Sequence, residues 1–164
     1  MEKFIIFLVC IGLTILDNSI VPFFSIRGAC PSLLFTFVIA YSLVNTKEKS
    51  VGIGITSGIL QDIFFFNGFG VNCLINMILC LLASKIGEIM IKEKRTVPVV
   101  VMFCVTMLKY IGVFIVFYLL NIKIDLSKSI IMGLYNSVVM FFAYKYVISV
   151  YDDEYTKQRW RFRW

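Results

Sequence analysis

Apolar residues run along this chain in six blocks, and each block is apolar on all sides rather than on one face. The blocks cover residues 4–24, 32–46, 51–66, 69–91, 97–121 and 127–150. Stretches such as 97–101 and 111–120 show neither the alternation of a strand nor the one-sided stripe of a soluble helix. A spanning helix needs ~20 mostly apolar residues. The pattern therefore predicts an all-α, polytopic helical membrane protein with six transmembrane helices, the second and third short for the hydrocarbon thickness. The breaks, at 25–31, 47–50, 67–68, 92–96 and 122–126, carry charge or turn formers. A membrane β-barrel is disfavoured, because its strands alternate apolar and polar residues.

Composition narrows the class. Of 164 residues, 60% are hydrophobic and 16% charged, against ~45–50% apolar and about 25% charged in soluble domains. Mean hydropathy is +0.90. A soluble globule of this size could not cover that much apolar surface, and a disordered chain needs the opposite balance. The six blocks leave no room for a soluble domain. One six-helix transmembrane domain over residues 1–151 is expected, followed by a basic, aromatic tail over 152–164.

Charge sets the orientation. With the N-terminus in the cytosol, the inner side holds Lys3, Lys47, Lys49, Lys85, Lys92, Lys94, Arg95, Lys145, Lys157, Arg159, Arg161 and Arg163. The outer side holds Arg27, Lys123 and Lys128, and Lys109 lies within a block. Basic residues favour the cytosolic side, so both termini are placed there. This asymmetry accounts for the net charge of +6 without nucleic acid. The first block has Lys3 ahead of it, but it is too long for a signal-peptide core and no small-residue cleavage site follows.

Candidate chemistry is sparse. The chain has no histidine, which excludes His-based metal sites and His-dependent triads. The five cysteines include no CxxC, and free cysteine packs as a small apolar residue. No catalytic, metal or cofactor residues are therefore expected. Three charges do require a reason, because each costs ~2.5–3.5 kcal/mol at a helix centre in the bilayer. Asp62 and Lys109 each lie about 18 Å from the cytosolic end and Asp17 about 20 Å, at 1.5 Å per residue. Pairing of Lys109 with Asp62 or Asp17 is the expectation; recognition of a partner helix and an ion or proton path are the alternatives. Glu88 and Lys85 can snorkel at the inner end of the fourth block.

Gly54 and Gly58 form a small-xxx-small pair on the third block, suited to close helix approach. Packing within this bundle is the simpler reading and a homodimer interface the alternative. Asn67-Gly68 makes a tight outer turn, since both residues tolerate positive φ. The tail begins acidic, with Asp152, Asp153 and Glu154. It ends in Arg159, Trp160, Arg161, Phe162, Arg163 and Trp164. Such a strip suits the inner leaflet, with tryptophans at the interface and arginines on anionic lipid; a docking strip for a cytosolic partner is the alternative.

The third block and the turn after it also carry a resemblance. Gly58-Ile-Leu-Gln-Asp62, followed by Asn67-Gly68-Phe69-Gly70-Val71-Asn72, resembles the corresponding stretch of the MreD family of bacterial rod shape-determining membrane proteins. Pro22, Pro31-Ser32-Leu33-Leu34, Gly52 and Leu134-Tyr135-Asn136 agree in order. The similarity covers essentially the whole chain, and Lys109 has no counterpart in the family pattern. The resemblance implies Gly54, Gly58, Asp62, Gly68, Gly70, Asn72 and Asn136 as motif and packing residues.

It also implies a non-enzymatic subunit of the cell-elongation machinery in the bacterial cytoplasmic membrane. The implied partner is the single-span protein MreC, and through it the actin-like MreB filaments and the peptidoglycan synthases. MreB is then the cytosolic partner that the tail would dock. A different function is a small-molecule carrier like the substrate-binding subunit of a vitamin transporter. It would use polar groups such as Asn72, Asn76, Tyr118, Asn121 and Asn136 to line a pocket.

Overall fold

The computed structural model describes residues 2–25, 28–64, 70–90, 96–121 and 128–151. Among the described residues six α-helices follow one another: α1 (Glu2–Ser19), α2 (Leu33–Val44), α3 (Lys47–Phe64), α4 (Val71–Ile89), α5 (Thr96–Leu119) and α6 (Ser129–Tyr151). A 3-10 turn over Val21–Phe24, opened by Pro22, follows α1. No strand occurs among the described residues. The six apolar blocks each hold one helix. Residues 47–50, expected as a break, instead form the first turn of α3, and only Asn45 and Thr46 separate it from α2. Lysine and glutamate are good helix formers, so charge here marks the surface rather than a helix end. Lys47 reaches Glu88 of α4 at 3.1 Å, and Ser84 donates to the Asn45 carbonyl at 2.9 Å.

Among the described residues, α4, α5 and the 129–150 part of α6 are long and apolar enough to cross a membrane. The apolar stretches Phe4–Ser19 and Leu33–Val44 are shorter. In α3 the charges of Lys47, Glu48, Lys49 and Asp62 dilute the apolar run.

The shortest helix forms the centre. At 12 residues α2 is about 18 Å long, and residues 34–44 are all buried. A helix apolar on every side belongs inside a bundle, and α2 touches α1, α3, α4, α5 and α6. The buried hydroxyls of Thr36 and Ser42 turn back on the helix: Thr36 Oγ1 donates to the Ser32 carbonyl at 2.8 Å and Ser42 Oγ to that of Val38 at 2.8 Å.

Two complementary stripes join α3 to α4. On α3 the buried residues are Ser50, Ile53, Gly54, Ser57, Gly58, Gln61 and Asp62. On α4 they are Ile75, Asn76, Leu79, Cys80, Ala83, Ser84 and Gly87. Both repeat at helical spacing and hold mostly small or polar residues, which lets the backbones approach closely. A Cβ at Gly54 would stand 2.9 Å from Met77 Cα, and one at Gly58 would collide with the Cys73 backbone. The Gly54–Gly58 face is thus packed inside the chain. Gly87 makes the matching approach to α2, where a Cβ would collide with the Leu43 carbonyl.

Gly58→Ala is expected to destabilise the detergent-solubilised protein by roughly 1–3 kcal/mol, the usual range for an overpacked interior. Gly12→Ala, with open space around its Cβ, should leave the unfolding midpoint unchanged or raised. Equal midpoints for the two variants would contradict the α3–α4 contact.

Candidate functional site

The first four N–H groups of any helix lack partners within it, and burial makes such orphans expensive. At the start of α2 each one is met. Leu33 N donates to Asp17 Oδ1 at 2.7 Å and Leu34 N to Asp17 Oδ2 at 3.1 Å. Phe35 N donates to the hydroxyl of the N-cap Ser32 at 3.2 Å, and the helix's own ladder begins with Thr36 N on the Ser32 carbonyl at 3.0 Å. Ser32 N in turn donates to Asn136 Oδ1 of α6 at 2.8 Å. Asp17 stands in the last turn of α1, so its carboxylate crosses to the next helix.

The same device recurs at the start of α4. Asp62, in the last turn of α3, accepts from Gly70 N at 2.9 Å, Asn72 N at 3.0 Å and Cys73 N at 3.1 Å. Gly70 is the N-cap with φ of 96°, a left-handed conformation that glycine adopts without a Cβ penalty. Gly58, Asp62, Gly70 and Asn72 therefore act together: the glycines permit the approach and the carboxylate closes the hairpin. Negative charge at a helix N-terminus is favoured by the macrodipole.

The expected ion pair of Lys109 with Asp62 or Asp17 does not form. Lys109 is buried in α5, and its Nζ donates to Gln61 Oε1 at 2.7 Å and lies 4.0 Å from the centre of the Phe35 ring. Both carboxylates are already held by backbone N–H groups, which explains the difference. The charges are joined instead through a directed chain. Gln61 Nε2 donates to Ser32 Oγ at 3.4 Å, and Ser32 Oγ donates to Asp17 Oδ2 at 3.0 Å. From ammonium to carboxylate, every donor meets an acceptor.

Further helices enter this polar centre. Asn76 Nδ2 of α4 donates to Gln61 Oε1 at 3.0 Å and to Ser57 Oγ at 3.3 Å. Asn136 Nδ2 donates to Thr106 Oγ1 of α5 at 3.4 Å. Asn76 Oδ1 is the one buried side-chain polar atom without a partner among the described residues. Two of the asparagines considered for a carrier pocket, Asn76 and Asn136, thus bond across helices. Asn121 stands in the turn after α5 with a φ of 56°, and Tyr118 is exposed.

Among the described residues, no three of His, Cys, Asp and Glu come together as a metal would require. Gly68 and the tail residues Arg159, Trp160, Arg161, Phe162, Arg163 and Trp164 lie outside the described residues. The roles of Ser32, Gln61, Thr106 and Gly87 were not anticipated. A serine directly before an apolar run is an N-cap signature, and Ala83-xxx-Gly87 repeats the small-xxx-small spacing. Gln61 and Thr106 carry no comparable signal.

Replacing Asp62 by Asn removes one accepting oxygen and the charge. The expected loss is about 1.5–3 kcal/mol of stability per charged hydrogen bond broken, read as a lowered unfolding midpoint. In a double-mutant cycle, Lys109→Met and Gln61→Leu should couple by roughly 0.5–3 kcal/mol. Lys109→Met with Asp62→Asn should couple less; the reverse order would refute the relay.

A family model described as rod shape-determining protein MreD matches residues 1–151. No curated protein and no solved structure matches the chain. The match takes in all six helices and both carboxylate caps, and the chain belongs to the MreD family of rod shape-determining membrane proteins.

Proposed function

We propose that this protein is a multi-pass, non-enzymatic subunit of the cell-elongation machinery in the bacterial cytoplasmic membrane. It binds an MreC-like single-span protein, and through it helps couple actin-like MreB filaments to peptidoglycan synthases. The observation that carries this reading is the family match over residues 1–151. The disposition of polar groups supports it. They bond one another across helices inside the bundle, and the outward faces are apolar. Phe4, Ile5 and Leu8 on α1, Leu108, Ile111 and Ile115 on α5, and Leu134, Val138 and Phe142 on α6 are all exposed. Such faces suit lipid and the lateral contact of a partner helix, which in a membrane depends on shape and packing.

The proposal includes six crossings with both termini in the cytosol, supported by the bias of basic residues toward that side. The tail at 152–164 then lies at the inner leaflet on anionic lipid. A homodimer is compatible with this role but is not required by it.

Depletion in a rod-shaped host should give rounded cells within a few generations, scored by microscopy, and the tagged protein should co-purify with the single-span partner. Cells that remain rods after complete depletion would overturn the proposal. Reporter fusions at residues 25–31, 67–68 and 122–126 should report the outside, and fusions at 47–50 and 92–96 the cytosol.

A further inference from the structure

A groove of about 470 Å³ opens between the start of α1, the end of α2 and the start of α3. Ile6, Phe7, Tyr41 and Ile53 make its walls apolar, and the small residues Gly52 and Thr56 leave room along α3. Glu48 and Lys49 stand at its rim. Lys49 has a partner of its own. Glu48 is exposed and has no hydrogen bond or ion pair among the described residues. The groove thus offers an apolar slot with one available carboxylate, which suits an occupant that is apolar and cationic at once. A phospholipid is disfavoured, because its phosphate would face Glu48 while Lys49 is engaged.

The chain carries a segment of the right chemistry. Residues 155–164 hold Lys157, Arg159, Arg161 and Arg163 together with Trp160, Phe162 and Trp164, and no acidic residue. Helix α6 delivers it to the right end of the bundle. Ser32 N, at the start of α2, bonds Asn136 in the first half of α6. Further along α6, Tyr144, Val147 and Ile148 share one core cluster with Tyr41, Leu43 and Val44 at the end of α2. The two helices therefore run side by side in the same direction, and α6 ends beside the mouth of the groove. Packed helices lie 8–10 Å apart. Trp160 is nine residues beyond Tyr151, the last residue of α6, a reach of up to ~30 Å in extended chain.

We propose that this basic, aromatic tail docks in the groove of its own chain, with the Trp160 ring in the slot and a neighbouring arginine on Glu48. Successive side chains of an extended segment point to opposite sides, so the rings of 160, 162 and 164 share one side and the arginines the other. Arginine stems are long enough to bring the guanidinium back to the rim, where it can meet a carboxylate with two parallel hydrogen bonds. The inference rests on the placement of the tail at the inner leaflet proposed above. It moves one ring from lipid into the protein, while the remaining arginines keep their lipid contact.

Trp160 and Trp164 are the two tryptophans of the chain, so Trp164→Phe leaves Trp160 as the sole reporter. The full-length protein is placed in nanodiscs of phosphatidylethanolamine and phosphatidylglycerol. Trp160 emission should be weakly quenched both by acrylamide in the water and by bromine-labelled acyl chains. Gly52→Phe fills the slot from a position where an added Cβ meets nothing within 4 Å. It should keep its helical circular dichroism and lower the ratio of docked to undocked tail about tenfold, or 1.4 kcal/mol, read as a rise in quenching by the labelled lipid. Glu48→Gln, a surface change, should lower that ratio roughly two- to fivefold. Strong lipid quenching that Gly52→Phe leaves unchanged would overturn the docking and leave the tail on the inner leaflet. Strong acrylamide quenching without Gly52→Phe would overturn both. A photo-crosslinking residue in place of Trp160 gives a second measurement with the groove intact. Its adducts should map to α1 or α3 of the same chain, and adducts to lipid or to a second copy would overturn the proposal.

Discussion

A helix that starts partly buried against its neighbours has N–H groups with no partner in the helix itself, and two carboxylates answer that need here. Asp17 from α1 holds the start of α2, and Asp62 from α3 holds the start of α4. Most of the remaining architecture depends on these two contacts. An unsatisfied backbone group in an apolar medium costs several kcal/mol, so α2 could not begin where it does without Asp17. Each carboxylate also fixes one helix against the next, which sets the register of the α1–α2 and α3–α4 hairpins. The small residues Gly54, Gly58 and Gly87 then allow the close backbone approaches that this register demands.

Lys109 adds a second layer. Its Nζ donates to the Gln61 carbonyl oxygen and faces the Phe35 ring. A cation over a desolvated aromatic face contributes ~2 kcal/mol or more, which offsets part of the expense of burying it. The chain through Gln61 and Ser32 binds α5, α3, α2 and α1 into one polar unit, while Asn136 brings in α6 and Asn76 brings in α4. Side-chain hydrogen bonds thus link all six helices.

Much of this could be read in advance. The six blocks placed every helix because apolar length is a local property, and the small-residue spacing marked the α3 face for close packing. The turn expected at Asn67-Gly68 lies outside the described residues, and the left-handed glycine that the structure does show before α4 is Gly70. The pairing of charges could not be read in advance. Asp62 and Lys109 lie at similar depth in sequence arithmetic, and depth alone cannot tell that backbone N–H groups of α4 already fill the carboxylate. Gln61 illustrates the same limit: in the sequence it is one polar residue beside an aspartate, and only the packing of α4 on α3 and the reach of the Lys109 side chain from α5 make it the junction.

By itself, then, the sequence determined that the chain is a helical membrane protein, where its helices run, and which residues needed a polar partner. It did so because hydrophobic length, glycine spacing and buried charge are constraints that act along the chain. Which partner each polar group found was decided by the tertiary structure alone. Hydrogen bonds act over about 3 Å, and that distance is set by how helices far apart in sequence cross. The central position of α2, the shortest helix, followed from the same crossing: its uniform apolarity permitted burial, but five neighbouring helices had to assemble to provide it.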